Sequence, residues 1–144
     1  MKKILFAASE AVPFMKTGGL ADVTGSLPKY FDKKNYDVRV ILPKYVCMEE
    51  RWKGQLHFLC HFYVNLSWRK QYVGIFETTY DGITYYLVDN EFYFAGNAPY
   101  NNIYEDVEKF AFFSKAVLEA LPYLDFCPDI IHCHDWQTGL LPVF

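Results

Sequence analysis

The chain has 144 residues, a formal net charge of −3 and a pI near 5.8, with 52% apolar and 22% charged residues. This is the composition of a soluble globular domain, and it offers no basic surface for nucleic acid or an anionic membrane. No apolar run approaches the roughly 20 residues of a membrane span, and the first run, residues 4–8, is shorter than the roughly 7–15 apolar residues of a signal peptide. A cytoplasmic protein without membrane or nucleic-acid partners is therefore predicted.

The spacing of cysteine and histidine predicts no metal site. The four cysteines, at positions 47, 60, 127 and 133, form neither a C-x-x-C pair nor the dense pattern of a secreted disulfide scaffold. His132 and His134 share one face of a predicted strand, but no third ligand accompanies them at a persuasive spacing. We expect reduced thiols and structural histidines.

The pattern of apolar residues predicts alternating strands and helices. A strand over residues 3–8 leads into a glycine turn and then a helix to about residue 34, kinked or broken at Pro28 and ended by Asn35 as a left-handed C-cap. A second strand covers residues 38–42. Residues 52–89 hold two or three more strands, with Asp81-Gly82 as the clearest hairpin turn.

A long helix is predicted over residues 103–121, after an irregular loop at residues 90–101 that is rich in Phe, Tyr and Gly. Asn102 and Glu105 have the spacing of a capping box. The apolar face of this helix follows i, i+3, i+4 spacing and consists of Val107, Phe110, Ala111, Ser114, Val117, Leu118 and Leu121. A strand over residues 129–134 completes an α/β order.

Between the first strand and the first helix lies the segment KTGGLADV, residues 16–23. Adjacent glycines, Gly18 and Gly19, let backbone amides come close to a ligand. The helix start behind them favours an anion such as phosphate, and Lys16 adds a positive charge. The spacing matches neither the dinucleotide fingerprint nor the P-loop, so an ordinary strand-to-helix turn with a solvated lysine fits the pattern equally well.

A second polar segment follows the last predicted strand, where residues 129–140 read DIIHCHDWQTGL. Asp135 stands at the carboxyl end of that strand and before another helix start, which its side chain can cap. Ligands of open parallel sheets bind at the carboxyl ends of the strands. We therefore expect the first and last strands to be parallel members of one sheet, with Lys16 and Asp135 at the same edge.

These two segments, with Ser9-Glu10 and residues 25–29 and 37–45, resemble the amino-terminal half-domain of bacterial glycogen synthase and plant starch synthase. The resemblance covers essentially the whole chain, in order. Members of this family are retaining glucosyltransferases that use a nucleotide-activated glucose, usually ADP-glucose in bacteria. Their fold is two Rossmann-like domains that face each other across a deep cleft, the GT-B arrangement.

The resemblance implies that residues 1–144 are a truncated, partial Rossmann-like amino-terminal domain and that the carboxyl-terminal domain is absent. The apolar end of the chain, residues 139–144, points the same way, because it follows a plausible helix N-cap at Asp135 and resembles a helix cut in its first turns. A helix exposed in this way predicts self-association of the truncated chain.

The resemblance also implies roles for particular residues. It places Lys16 and the amides of Gly18 and Gly19 on the diphosphate of the donor. Asp22 either contacts sugar hydroxyls or is an acid in the first helical turn favoured by the dipole. Asp135 is the candidate catalytic carboxylate, which binds sugar hydroxyls or balances charge as the glycosidic bond breaks, with N-capping as a competing role.

Two further positions match substrate-binding residues of the family. Tyr100 aligns with a tyrosine near the glucose pocket, although a loop tyrosine packed on Phe92 or Phe94 is an alternative. Glu10 resembles a residue on the acceptor side. The chain departs from the family where the long helix carries Lys109 in place of the usual arginine, and a lysine does not reproduce a bidentate arginine contact.

The chemistry implied by the resemblance needs no cofactor, because ADP-glucose is the donor substrate and a glycogen-type α-1,4-glucan is the acceptor. A glycosidase would need two carboxyl groups flanking the bond, whereas the favoured account of these retaining transferases is front-face attack with the departing diphosphate as base. The protein must then supply positive charge and fixed geometry. The family places most of that charge on an arginine and a lysine of the carboxyl-terminal domain.

A function of another class is also compatible with the sequence. The chain can be a non-catalytic nucleotide- or carbohydrate-binding module built on half a Rossmann-like domain. Its aromatic loop, with Phe92, Tyr93 and Phe94 followed by Tyr100 and Tyr104, would then stack on sugar rings, although such clusters more commonly pack in the core. The missing G-x-G-x-x-G disfavours a third class, the NAD-binding proteins.

Overall fold

A computed structural model describes all residues, 1–144. The strands are β1 (Lys2–Ala7), β2 (Tyr36–Pro43), β3 (His57–Leu66), β4 (Arg69–Tyr80), β5 (Ile83–Asp89) and β6 (Ile130–Cys133). The α-helices are α1 (Gly19–Ser26), α2 (Glu50–Lys53) and α3 (Ile103–Ala120), and short 3-10 helices cover Leu27–Tyr30, Leu121–Tyr123 and Trp136–Thr138. The predicted α/β order is confirmed, and the tract over residues 52–89 contains three strands. No helix combines the length and apolar character that crossing a membrane requires.

All six strands form one sheet in the order β3-β4-β5-β2-β1-β6. The pairs β5–β2, β2–β1 and β1–β6 are parallel, and the hairpins β3–β4 and β4–β5 are antiparallel. The prediction that the first and last strands are parallel members of one sheet is therefore confirmed. After β2 the chain crosses to β3 at the far edge and returns through β4 to β5 beside β2. It then crosses back to place β6 on the other side of β1, so the strand order reverses between β1 and β6.

The parallel strands β1, β2 and β5 are largely buried on both faces, as expected for a sheet with covering layers on each side, whereas the edge strand β6 is partly exposed. Successive side chains of a strand point to opposite faces, so Leu5 lies in the core beneath α3 with Phe110 and Phe113. Phe6 lies in the second core, which Phe14 and other residues that follow β1 help to cover. Helix α3 covers one face, and the turn after β1 together with Trp52 of α2 covers the other, so this mixed sheet is a partial Rossmann-like domain.

Local predictions in this frame are partly confirmed and partly wrong. Asp81 and Gly82 form the β4–β5 turn with positive φ at both residues, 55° and 78°. The first helix stops at Ser26 and continues only as a 3-10 turn over Leu27–Tyr30 that contains Pro28, so it does not reach residue 34. Asn35 does not adopt a left-handed conformation, because its side chain instead donates to the Asp32 carboxylate at 2.6 Å.

The predicted apolar face of helix α3 is confirmed in part, because Phe110, Ser114 and Val117 are buried. Asn102 Oδ1 accepts hydrogen bonds from the amides of Tyr104 and Glu105, both at 3.1 Å, which confirms Asn102 as the cap, but the Glu105 side chain does not complete the predicted capping box. Val107, however, is 52% exposed. The buried face is broader and consists of Asp106, Lys109, Phe110, Phe112, Phe113, Ser114, Ala116, Val117 and Ala120.

The predicted helix after Asp135 is a single 3-10 turn, Trp136–Thr138, followed by non-helical turns. A segment this short that also contains Gly139 and Pro142 cannot propagate an α-helix by itself. Leu141 packs into the core beneath α3, whereas Val143 and Phe144 are 73% and 51% exposed.

Gly25 is required by packing, and replacing it is expected to destabilise the fold. A Cβ at this position would lie 2.7 Å from the carbonyl oxygen of Val12, which is backbone and cannot yield cheaply. We expect Gly25→Ala to lower the free energy of unfolding by about 1–3 kcal/mol, measured by urea denaturation. Gly19→Ala is the matched control because a Cβ there meets nothing within 4 Å; equal losses in the two variants would contradict the packing argument.

Candidate active site at the switch point

The candidate residues lie at the carboxyl ends of β1 and β6, where the strand order reverses. Ala7 and Cys133 are register partners in these strands, and the amide of His134 donates to the Ala7 carbonyl at 3.1 Å. Both motif segments thus leave the sheet at one edge. In open parallel sheets this switch point opens a crevice, which is the usual ligand site of nucleotide-binding α/β domains.

The glycine turn leaves open space in front of α1. Gly18 is the N-cap residue, and no side chain caps the helix, so the amides of its first turn have no intrahelical acceptor. A Cβ built on Gly18 or Gly19 would meet nothing within 4 Å. The chain's own packing therefore does not demand glycine here, and the small residues leave room for a ligand to approach the amides.

Lys16 and Asp22 form an ion pair across this turn. Lys16 Nζ lies 2.8 Å from Asp22 Oδ2, and the two side chains are 53% and 52% exposed. Asp22 is also the only acidic residue in the first turn of α1. An exposed pair of this kind contributes little to stability, so both charged groups are available to a ligand at modest cost.

Glu10 is an internal support of the glycine turn. It is only 3% exposed, and its Oε2 accepts from the Thr17 amide at 2.8 Å and from the Thr17 hydroxyl at 2.6 Å. The Glu10 carbonyl accepts from the Thr24 hydroxyl of α1 at 2.6 Å. Glu10 thus ties the end of β1 to both the turn and the helix.

Tyr100 reaches the same edge from the loop before α3. Its hydroxyl lies 2.6 Å from Ser9 Oγ, and its ring packs against Phe110 with centroids 5.9 Å apart. The predicted alternative, packing on Phe92 or Phe94, is wrong. Burial raises the pKa of Tyr100 to about 12, and the nearby carboxylates of Glu10 and Asp135 add to this effect. The phenol is therefore neutral at physiological pH and can donate a hydrogen bond.

Asp135 combines an unusual backbone with a free carboxylate oxygen. Its φ of 65° and ψ of −177° fall in a region that side-chain-bearing residues rarely occupy, and such strain concentrates at functional sites. Asp135 Oδ1 accepts from the Trp136 amide at 3.1 Å. The other oxygen has no partner in the chain, so capping the following turn and binding a ligand are compatible.

The rings of His132 and His134 pack against each other and against Phe6. Their ring centroids are 4.2 Å apart, and those of Phe6 and His134 are 5.0 Å apart. Nowhere in the chain do three or more His, Cys, Asp or Glu side chains cluster in a way that could hold a metal ion. The Nε2 of His134 is buried without a hydrogen-bond partner.

The environment of His134 predicts a pH dependence of stability. Burial, with a smaller contribution from His132, lowers the pKa of His134 from 6.5 to about 4. As pH falls from about 6.5 to about 4, His134 is protonated in the unfolded chain but stays neutral in the folded chain. The free energy of unfolding therefore decreases over this pH range. We expect His134→Gln to lose less stability than the unsubstituted chain between about pH 7 and about pH 5, measured by urea midpoints. Equal losses would contradict the assignment.

The aromatic loop contributes mainly to the core. Tyr93 and Phe94 are 5% and 0% exposed, whereas Phe92 and Tyr104 are 72% and 88% exposed. Five surface cavities, of 210 to 580 Å³, are lined by residues other than Lys16, Gly18, Gly19 and Asp135, and the Lys16 side chain is 53% exposed. The switch-point residues thus form an open edge in this chain.

Several supporting residues were not predicted from the sequence. Ser9 joins Tyr100 through its hydroxyl and Tyr45 through its carbonyl, which accepts from the buried phenol at 2.6 Å. Thr17 and Thr24 hold Glu10. The two residues of each contact lie 7 to 91 positions apart along the chain. The only sequence feature that indicated these residues was the position of Ser9-Glu10 at the end of β1.

Comparisons with known proteins agree with this geometry. The sequence profile of the starch synthase catalytic domain matches residues 3–144. Glycogen synthases of Lachnoclostridium phytofermentans and Lachnospira eligens are 69% and 64% identical to the chain over 144 residues. These alignments cover 100% of this chain and 30% of each relative, so the chain spans about a third of the length of the curated relatives it matches.

A solved structure has the same fold. The catalytic domain of Starch Synthase IV from Arabidopsis thaliana, bound to ADP and acarbose, superposes with a TM-score of 0.82 and 31% sequence identity. The superposition covers 97% of this chain and 29% of that one. Because the family profile covers nearly every residue and the solved relative shares the fold, this chain belongs to the starch synthase catalytic domain family.

Proposed function

We propose that the chain is part of a glycogen synthase that transfers glucose from ADP-glucose to the non-reducing end of an α-1,4-glucan with retention of configuration. The observation that carries the proposal is the switch point between β1 and β6, where Lys16, the Gly18-Gly19 turn and Asp135 meet at one edge of a sheet that belongs to this family. The names of the relatives and the ADP and acarbose bound to the solved one support both substrates.

The proposed roles follow the geometry. The free amides of α1 and the Lys16 ammonium bind the diphosphate of the donor, because a helix N-terminus and a cation both favour an anion. Tyr100 and Asp135 contact the glucose. Asp22 either releases the Lys16 ammonium from their ion pair when the donor binds, or accepts a hydrogen bond from a sugar hydroxyl. Glu10 supports the glycine turn through Thr17 and lies on the side of the site at which the glucan acceptor binds. ADP-glucose is consumed as a substrate, so the proposed reaction uses no cofactor and no metal.

The proposed protein is cytoplasmic and works with a second domain. Its four cysteines are unpaired, as is usual in a reducing compartment. Residues 1–144 form part of the amino-terminal domain, and a carboxyl-terminal Rossmann-like domain supplies the other wall of the cleft. In the isolated chain, exposed Trp136, Leu140, Val143 and Phe144 favour self-association.

A chimera tests this proposal directly. In it, this chain replaces the matching 144 residues of the Lachnoclostridium phytofermentans glycogen synthase, to which it is 69% identical. Labelled ADP-glucose and glycogen are supplied, and incorporation of label into polymer is measured. Transfer at a rate close to that of the parent supports the proposal. A folded chimera that binds ADP-glucose or glycogen but transfers no glucose would favour the non-catalytic binding module instead.

Lys16→Gln in this chimera is expected to raise the KM for ADP-glucose about tenfold while the affinity for glycogen changes less. A hydrogen bond to a charged group contributes about 1.5–3 kcal/mol, and the half-exposed setting of Lys16 places this contact at the lower end of that range. Steady-state kinetics with varied donor give the KM, and Lys29→Gln is the matched control, because Lys29 forms an exposed pair with Asp81. An unchanged donor KM would make Lys16 an ordinary surface lysine.

A further inference from the structure

Two buried charged residues on α3 have no role in the proposed chemistry. Lys109 and Asp106 are 4% and 5% exposed, and among the charged side chains only Glu10 is as deeply buried. Their charged atoms lie 3.5 Å apart, one helical turn from each other. Burying charge is unfavourable unless each group is paired and hydrogen-bonded, so the contacts they make define what they do.

These contacts all go to the residues on either side of Tyr100. Lys109 Nζ donates to the Pro99 carbonyl and to Asn101 Oδ1, both at 2.8 Å. The Asn101 amide lies 3.1 Å from each carboxylate oxygen of Asp106. Of the three donors of the ammonium group, two are satisfied by Pro99 and Asn101, and the Asp106 carboxylate balances the charge as an ion pair at 3.5 Å. The backbone before and after Tyr100 is thereby tied to α3.

Tyr100 is held at its other end by the switch point. Its hydroxyl meets Ser9 Oγ at the end of β1, and its ring packs on Phe110, the residue after Lys109. The loop that carries it has no regular secondary structure from residue 95 to residue 102, so neither a helix nor a strand fixes its backbone. The side chains of Lys109 and Asp106 fix this backbone instead.

We propose that Lys109 and Asp106 are positioning residues that fix residues 99–101 and thereby hold Tyr100 in the donor site. This inference rests on the proposed function, because it assumes that Tyr100 contacts the donor sugar. Lys109 acts only through Tyr100: it anchors the backbone on both sides of the phenol, and its own ammonium makes no contact with substrate.

A double-mutant cycle in the chimera tests the proposal. Lys109→Met removes the charge and all three donors, and it is combined with Tyr100→Ala. We expect Lys109→Met to raise the KM for ADP-glucose about tenfold when Tyr100 is present and to have almost no further effect when Tyr100 is alanine, as coupled residues of one network behave. A general loss of structure would raise the KM by the same factor in both backgrounds, and that result, or no effect of either variant, would overturn the proposal.

Two variants serve as controls. Lys109→Arg keeps the positive charge and several N–H donors in a different geometry, so it is expected to raise the KM less than Lys109→Met does. Lys115 lies on the same helix and donates to the Asn65 carbonyl, away from the switch point. Lys115→Met is therefore expected to leave the KM unchanged, and a rise equal to that of Lys109→Met would overturn the positioning role.

An optical titration separates failure of this inference from failure of the proposed function, because it requires no transfer of glucose. The tyrosinate absorbance of each protein is compared with that of its Tyr100→Phe version up to about pH 11. With Lys109 in place, the phenol is held in its buried setting with a pKa of about 12, and Tyr100 contributes only a small part of its full signal. Lys109→Met is expected to release the loop, so that Tyr100 ionises within this range. If the Tyr100 signal did not increase in Lys109→Met, the proposal would be overturned even in an active chimera.

Discussion

The isolated 144-residue chain is expected to transfer no glucose, even under conditions in which the chimera is active. Lys16 and Asp22 lie half exposed at an open edge, and the candidate residues line none of the five cavities of 210 to 580 Å³. A departing diphosphate needs positive charge that is already in place, and Lys16 is partly neutralised by Asp22 at 2.8 Å. Removal of one preorganised electrostatic donor typically lowers the rate by about 10²–10³-fold, and loss of positioning lowers it further.

The measurement compares label incorporated into glycogen by the isolated chain and by the chimera at equal concentrations. Circular dichroism and size-exclusion chromatography confirm that the isolated chain is folded and report its self-association. Turnover within about a hundredfold of the chimera would show that one wall of the cleft is sufficient for the reaction. Binding of ADP-glucose without turnover would fit the expectation, because the open edge retains the α1 amides and Lys16.

Asp135→Asn is expected to lower the kcat/KM of the chimera about tenfold to hundredfold, since a hydrogen bond to a charged group contributes about 1.5–3 kcal/mol. Asparagine caps helical turns as well as aspartate does and tolerates positive φ, so the backbone at φ 65° and the bond to the Trp136 amide are retained. Only the negative charge is lost. The unfolding midpoint is therefore expected to stay within experimental error.

Two variants separate the charge of Asp135 from its backbone. Asp135→Gly removes the carboxylate and also relieves the strained conformation, so it is expected to raise the unfolding midpoint while kcat/KM falls. Asp129 lies at the opposite end of β6, where its carboxylate accepts from the Lys3 amide at 2.8 Å. Asp129→Asn is expected to leave kcat/KM unchanged. If Asp135→Asn retained full kcat/KM, the carboxylate would be only a cap for the following turn.

Features governed by neighbouring residues were predictable from the sequence. Asp81-Gly82 forms the β4–β5 turn because that turn requires positive φ at two successive residues, which aspartate and glycine tolerate. Asn102 caps α3 because its side chain reaches the amides two and three residues ahead. These interactions span a few residues, so their signals are complete in the local sequence.

Other predictions failed because the local pattern allowed more than one arrangement of the side chains. Asn35 was expected to end a long helix, but α1 ends at Ser26 and Asp32 engages the Asn35 side chain. Val107 fits the apolar periodicity of α3, yet it is half exposed because Lys109 and Asp106 occupy buried positions beside the loop. Tyr100 packs on Phe110 rather than on the nearer aromatic residues of its own loop.

The sequence by itself determined the element order and which residue types follow the strands: a lysine and two glycines after β1, and an aspartate after β6. The tertiary structure alone decided that β6 pairs with β1, that Tyr100 crosses 91 residues to reach Ser9, and that Lys109 anchors the backbone around Tyr100. The physical reason is that strand order and buried polar contacts depend on how helices cover the two faces of the sheet. That packing is a property of the whole chain, and no local pattern of residues encodes it.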